Sequence, residues 1–245
     1  MGKRESRSLL YYDLAEYYDA IYNWKDYSSE VHFIKKLIAS SKKSDGNELL
    51  DVGCGTGRHI ALLADSFKCT GLDLSDEMLR IARRNVKGAK FVKGNMFGFE
   101  LHKKFDVILC LFSAIAYAKT DEQLKETLSS FSSHLRDGGM VIIQPWIQKS
   151  KWKKGHIAME TFDSGNVKIA RVSYSGGTPK LSTFRMEYIM AEKGKGIRHV
   201  VEEEAFPYFQ RAKYERIMRK LGLRPRFVNN KLFGDRGLLV GIKDS

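Results

Sequence analysis

The chain has 245 residues, of which 43% are hydrophobic, and a formal net charge of +13. That is enough apolar material for one large core with a small subdomain. Its three cysteines have no paired spacing and no apolar run approaches membrane-spanning length, so a disulfide frame, a zinc or other metal site and a membrane span are not indicated, and the expected setting is reduced and cytoplasmic. The charge raises acidic partners such as nucleic acid or a phosphorylated small molecule. Yet Lys35-Lys36, Lys42-Lys43, Arg83-Arg84 and Lys151 to Lys154 are short runs with carboxylates between them, as a solvated surface would show.

Met1 to Ser6 fits a short myristoylation pattern, of a kind that recurs by chance. From Leu9 to Trp24 an aromatic-rich segment carries Leu14, Tyr17 or Tyr18, Ile21 and Lys25 at helical spacing. It reads either as a helix packed through its tyrosines or as a lid over a ligand. Val31, Ile34, Leu37 and Ile38 mark an amphipathic helix, broken by Ser44-Asp45-Gly46-Asn47. The stretch that follows, Glu48 to Ile60, organises the rest. A short apolar run is ended by Asp51, glycines stand at 53, 55 and 57, and Ile60, Leu62 and Leu63 open a helix. Such a turn lets bare backbone approach a ligand.

Lys68 to Leu74 reads as a second strand ending in a carboxylate, with Asp73 twenty positions after Gly53. An acidic residue there is placed to accept both hydroxyls of a ribose, so the ligand contains adenosine. The dinucleotide fingerprint needs its third glycine three residues after the second, but Gly55-Thr56-Gly57 has it two after. Ser75 is a plausible N-cap, and Met78, Leu79 and Ala82 form a core-facing stripe. Lys90 to Lys93 makes a third strand before the turn Gly94-Asn95-Met96-Phe97. Phe105 to Phe112 is a buried parallel strand whose end, Leu111 to Tyr117, lies where open α/β sheets gather ligands. A helix through Leu124, Leu128, Phe131 and Leu135 is stopped by Gly138-Gly139, and Met140 to Ile143 forms the fifth strand, ending in Gln144-Pro145-Trp146.

Between about 150 and 206 the helix-strand alternation stops. Alternating segments at Asn166 to Tyr174, Leu181 to Ala191 and Ile197 to Phe206, punctuated by Gly176-Gly177 and Gly194-Lys-Gly196, predict an inserted antiparallel sheet covering the acceptor side. A helix with Tyr214, Ile217, Met218 and Leu221, capped by Gly222, and strands near Arg226 to Val228 and Gly237 to Ile242 complete the core. The expected class is α/β: a Rossmann-like seven-stranded sheet with an antiparallel β-subdomain. The expected parts are residues 1–149 (ligand-binding core with its N-terminal lid), 150–206 (insert) and 207–245 (last helix and strands).

The glycine stretch resembles motif I of class I S-adenosylmethionine (AdoMet) methyltransferases, and Leu72 to Leu79 resembles their motif II. The Asn/Asp-Pro-Pro-aromatic motif of many nucleic-acid amino-methylating enzymes is absent after the fourth strand. Leu14 to Ile21, Lys25-Asp-Tyr27, Phe112 to Tyr117, Gln144-Pro-Trp146, Arg185-Met-Glu187, Gly194 to His199 and Asp235 to Gly241 occur in order. As a set they resemble the N,N-dimethyltransferases that act on dTDP-linked aminodeoxysugars in macrolide biosynthesis. The resemblance implies AdoMet as methyl donor, S-adenosylhomocysteine as product, and a cofactor site of Tyr18, Asp51, Gly53, Cys54, Gly55, Gly57, Asp73, Leu74, Met78, Asn95, Met96 and Leu111. It also implies that Tyr18 and Tyr117 lie beside the sugar amine and that Trp146 shapes the pocket. Asn95 stands where an Asp is common, Gln144 replaces a usual Glu, and Ile147 replaces the second of two paired tryptophans.

Methyl transfer from a sulfonium needs an unprotonated amine. Tyr117 or Tyr18 could orient it, and His199 has a suitable intrinsic pKa, though it falls in a predicted strand. Arg185 and Arg236 are candidates for a diphosphate. The leading reading is AdoMet-dependent N-methylation of a small amine such as an anionic, nucleotide-linked amino sugar. RNA methylation, a non-catalytic AdoMet-binding protein and a homodimer stay open.

Overall fold

The computed structural model describes residues 8–244, so the Met1 to Ser6 pattern lies outside the described residues. Two 3-10 turns, Leu9–Tyr11 and Ala15–Tyr17, lead into a single turn, α1 (Tyr18–Ile21), and then α2 (Tyr27–Ser41). Next come β1 (Glu48–Val52), α3 (Arg58–Leu63), β2 (Lys68–Asp73), α4 (Asp76–Asn85), β3 (Lys90–Lys93), β4 (Phe105–Cys110), α5 (Asp121–His134) and β5 (Leu135–Ile143). Four strands follow without a helix: β6 (Ile157–Asp163), β7 (Val167–Gly177), β8 (Leu181–Glu192) and β9 (Gly196–Pro207). The chain closes with α6 (Arg211–Lys220), β10 (Leu223–Val228) and β11 (Leu238–Lys243).

The main sheet has seven strands in the order β10-β11-β5-β4-β1-β2-β3. The five from β5 to β3 run parallel; β11 is antiparallel to β5, and β10, antiparallel to β11, runs in the same direction as the five. Strand order reverses between β1 and β4, and the C-terminal ends of these strands open the crevice where ligands of such sheets collect. β4 is buried along its length because helices cover both faces, which accounts for its unbroken apolar run. α4 starts where Ser75 Oγ accepts from Met78 N. Asp76 and Glu77 in its first turn, with Arg83 and Arg84 in its last, match the helix dipole.

The second sheet, in the order β6-β7-β8-β9, is antiparallel throughout. Its inner face carries Ile169, Tyr188 and Met190, which pack with Leu14, Tyr18 and Ile21 of the N-terminal segment and with Met78 and Ile81 of α4. A second contact joins it to the main sheet. Trp146 Nε1 donates to Ser182 Oγ at 2.8 Å, Ser182 Oγ donates to Phe206 O at 3.0 Å, and Trp152 and Phe184 stack around Trp146.

Several expectations are corrected. The single helix over Leu9 to Trp24 is broken into short turns. Asp19 accepts from Thr56 Oγ1 at 2.7 Å, Tyr11 O accepts from Ser75 Oγ at 2.6 Å, and Glu16 pairs with Arg80 and Arg84. These ties bend the segment over the sheet in a way no straight helix could follow. β6 was missed, because its alternation is carried by residues exposed on the outer face, Ile157 and Met159 among them. Gly176 and Gly177 lie inside β7, and the chain turns at 178–180, where Thr178 N donates to Leu181 O at 2.8 Å. α5 stops at His134 rather than at Gly138, which instead sits in β5 at φ 71°. Asp51 is an interior residue of β1 and does not end it. Among the described residues no helix is long and apolar enough to cross a membrane.

Candidate active site

The glycine turn is tied to the end of the neighbouring strand. Gly53 N and Cys54 N both donate to Leu72 O, at 2.8 and 3.1 Å, and Gly55 N donates to Asp73 Oδ2 at 2.8 Å. Gly53, Gly55 and Gly57 all have positive φ, at 72°, 53° and 78°, a conformation that favours glycine. A methyl group added at Gly55 would meet nothing within 4 Å, so that glycine faces open space, while one at Gly57 would press on Ala82 of α4 and on Val86 just after it. One glycine therefore lets a ligand approach and the other lets a helix pack.

Asp73 Oδ1 accepts from Ser75 N at 2.9 Å, so each carboxylate oxygen is oriented by one backbone N–H and keeps a lone pair. Burial raises its pKa, opposed by those backbone hydrogen bonds. Asp51, nearby toward the end of β1, is buried, with no partner for Oδ2 among the described residues. Burial, then the charge of Asp73, pushes its carboxyl up to about 8. An uncompensated buried carboxyl under an open glycine cradle, beside an oriented carboxylate, suits a cationic nucleoside. AdoMet, with an ammonium, a sulfonium and a ribose, fits this donor set.

Leu74 is 55% exposed at the mouth. Asn95 is exposed too, and its Oδ1 accepts from Phe97 N at 3.0 Å, closing the turn that carries Met96. Three expected cofactor residues lie below the surface. Met78 is wholly buried in the cluster with Leu14 and Tyr18, Leu111 is buried under the sheet end, and the Cys54 thiol is turned toward Gly71. Their side chains are packed into the clusters beneath the strand ends in this structure.

Above the strand ends a wall of phenols forms. Tyr18 lies 4.8 Å from the Tyr22 ring and 6.0 Å from the Tyr11 ring, and the Tyr117 hydroxyl donates to that of Tyr11 at 2.9 Å. Burial raises the pKa of Tyr11, Tyr18 and Tyr117 well above the ordinary phenol value. They therefore stay protonated at neutral pH and act as hydrogen-bonding walls, not as bases. Phe112 and Ser113, after β4, both have positive φ, 50° and 60°. This strained turn is held by Gln144 Oε1, which accepts from Phe112 N at 2.8 Å, and by Ser113 Oγ, which donates to Pro145 O at 2.9 Å. The departure at Gln144 thus has a structural task.

Arg236 lies with its guanidinium 5.2 Å above the Trp146 ring. Burial is the main influence on it, lowering its pKa. Among the described residues it has no ion pair. Arg185 and His199 are elsewhere. Both project from the outer face of the second sheet, where Glu187 pairs with each of them and Glu203 with Arg185. The strand alternation that puts Tyr188 inside puts these two outside, so the chain does not bring them to the pocket. Missed from the sequence were Tyr11 and Tyr22, whose rings close on Tyr117 and Phe112. Also missed was the buried trio Lys25, Glu30 and His59 that anchors α2 to α3. Tyrosine spacing held a signal for the first two, but the break in the N-terminal helix hid it.

A parallel sheet with this switch point, glycine turn and ribose-type carboxylate defines a class I AdoMet-dependent methyltransferase. Residues 49–139 match the methyltransferase domain family. Over 94% of its length the chain is 34% identical to dTDP-3-amino-3,4,6-trideoxy-alpha-D-glucopyranose N,N-dimethyltransferase of Streptomyces venezuelae, spanning 98% of that protein. The crystal structure of Streptomyces venezuelae DesVI superposes with a TM-score of 0.87 at 33% identity, over 94% of this chain and 98% of the other. That of SAM-bound CalS10, an amino pentose methyltransferase from Micromonospora echinaspora, gives 0.82 at 26% identity over 99% and 100%. The chain belongs to the family of the dTDP-amino-sugar N,N-dimethyltransferases, and AdoMet is its cofactor.

Asp73→Ala is expected to weaken AdoMet binding at least about tenfold in isothermal titration, since hydrogen bonds to a charged group contribute about 1.5–3 kcal/mol each. Unchanged affinity would remove the ribose role. Asp51 makes the free protein lose stability from about pH 4 to about pH 8, because the unfolded chain releases a proton that the folded chain keeps. Asp51→Asn should flatten that slope and raise the melting temperature at pH 7.5 by about 2–4 °C. A melting profile against pH that matches the parent would refute this account of Asp51.

Proposed function

We propose that the protein transfers methyl groups from AdoMet to the amino group of a sugar linked to a nucleoside diphosphate. The observation that carries this reading is Arg236. A half-buried guanidinium packed over Trp146, without a carboxylate partner among the described residues, is suited to an anionic ligand, and its planar fork matches phosphate oxygens. The acceptor reading is also supported by the activity of DesVI-like relatives such as the Streptomyces fradiae dTDP-3-amino-3,6-dideoxy-alpha-D-glucopyranose N,N-dimethyltransferase, to which the chain is 34% identical.

AdoMet supplies an activated methyl on a sulfonium. The chain's own part is to hold donor and acceptor in line, which in favourable cases lowers a barrier by about 7–11 kcal/mol. In this reading Gly53, Gly55 and Gly57 cradle the cofactor's amino-acid part, Asp73 takes the ribose, and Asn95, Met96 and Leu74 border the adenine. Residues 8–24 act as a lid, and the 150–206 insert closes the acceptor side. Tyr18, Tyr22 and Tyr117 wall the reacting centre, exclude water and face a cation with aromatic surface. The three unpaired cysteines support a reducing, cytoplasmic setting.

A homodimer is supported by the outer face of the second sheet, where Ile157, Met159, Val172, Ile189 and Ile197 are all about half or more exposed. A contiguous apolar face of this kind suits a second copy placed by a two-fold axis.

Labelled AdoMet is expected to pass methyl to dTDP-amino sugars and not to RNA or to glycine-type amines. Arg236→Ala should raise KM for the sugar nucleotide about 10- to 100-fold, with kcat falling much less. Methylation of RNA alone, or an unchanged KM in the variant, would overturn the acceptor reading. Sedimentation should give a dimer for the parent and a monomer for Met159→Lys/Val172→Lys; a monomeric parent would refute the interface.

A further inference from the structure

Two glutamates of β9 project from the inner face of the second sheet toward the phenol wall, and they differ in one respect. Glu204 lies 3.5 Å from Lys119 Nζ, so its charge is matched. Glu202 is 5% exposed and has no cationic partner among the described residues. Its Oε1 accepts from Ser8 Oγ and, at 3.3 Å, from Leu10 N, while its Oε2 is buried with no hydrogen-bond partner among the described residues. The group is close enough to Tyr11, Tyr22 and Tyr117 for its charge to act on all three phenols. It therefore lies among the residues that wall the acceptor side. Leaving a buried carboxyl oxygen unpaired is costly, and a ligand's N–H donor would remove that cost.

We propose that Glu202 recognises the acceptor's amine, its free Oε2 accepting an N–H from that group while Oε1 holds the N-terminal segment in place. The inference rests on the amino-sugar reading above and deepens it. Arg236 and Glu202 are two charged side chains of the pocket without ionic partners among the described residues, and they have opposite signs. A ligand that is anionic at its diphosphate and cationic at its amine satisfies both. The hydrogen bond also has a consequence for product. The bound ammonium gives one proton to water before each transfer, which then breaks the S–CH3 bond of AdoMet, forms N–CH3 and leaves S-adenosylhomocysteine. A primary amine keeping one N–H on Oε2 has its lone pair free for the methyl group, and a secondary amine does as well. The unprotonated tertiary amine has no N–H left to orient it, so transfer ends after two methyls.

Affinity of the S-adenosylhomocysteine complex for dTDP-3-amino-3,6-dideoxyglucose and for its hydroxyl counterpart, dTDP-6-deoxyglucose, tests this. In Glu202→Gln the first should weaken at least about tenfold and the second by less than about twofold, with AdoMet affinity unchanged. Gln keeps an acceptor for Leu10 N, so the N-terminal segment stays anchored, and Glu202→Asp should recover part of the amine preference. If both sugar nucleotides weaken equally, Glu202 serves only to anchor that segment and the proposal falls. If neither weakens, it falls as well. A parent protein that neither binds nor methylates any dTDP-amino sugar would sink the acceptor reading itself, a result distinct from loss of the Glu202 effect alone.

Discussion

The carbonyl of Leu72 accepts from two successive amides of the glycine turn, and Asp73, the next residue, accepts from a third. This small knot joins the ends of β1 and β2 and makes one binding surface from two stretches nearly twenty residues apart. Everything above it takes position from it. Ser75, two residues beyond Asp73, caps α4 and holds Tyr11 O, while Thr56, inside the glycine turn, holds Asp19. The segment that covers the cofactor crevice is thus tied to the same two motifs that form its floor.

The site is assembled from groups that are costly when empty. Among the described residues, Asp51 and Glu202 each bury a carboxyl oxygen without a partner and Arg236 lies over a tryptophan without a counterion, while Phe112 and Ser113 occupy a strained backbone region. Each feature costs about 1–3 kcal/mol by itself. A fold with ample core can tolerate them, and their clustering at one end of the sheet locates the reaction more sharply than any cavity does. The neutral phenols around them have the complementary task of keeping water out while staying uncharged.

The second sheet sorts its side chains by alternation. Its inner face supplies Tyr188 and Met190 to the core, Phe206 and Phe184 to the Trp146 cluster, and Glu202 to the neighbourhood of Leu10. Its outer face carries Arg185, Glu187 and His199, which satisfy one another at the surface. A side chain two residues away in β8 or β9 shares the same face, and one residue away it is lost to the other. Hence Arg185 lies on the outer surface, while Arg236, outside the second sheet, lies over Trp146.

Read alone, the sequence determined the strand-helix alternation, the inserted antiparallel segment, the glycine turn and the acidic residue after β2. All of these are local patterns: hydrophobic period, glycines needing positive φ, a carboxylate at a fixed distance. Tertiary structure alone decided where the N-terminal segment breaks, since those breaks answer to Thr56 and Ser75, which lie far along the chain. It decided also that Met78 and Leu111 are buried, and that Glu202 faces inward while His199 faces out. The reason is physical. Alternation tells which residues share a face, but only the packing of one sheet on another element says which of the two faces is covered.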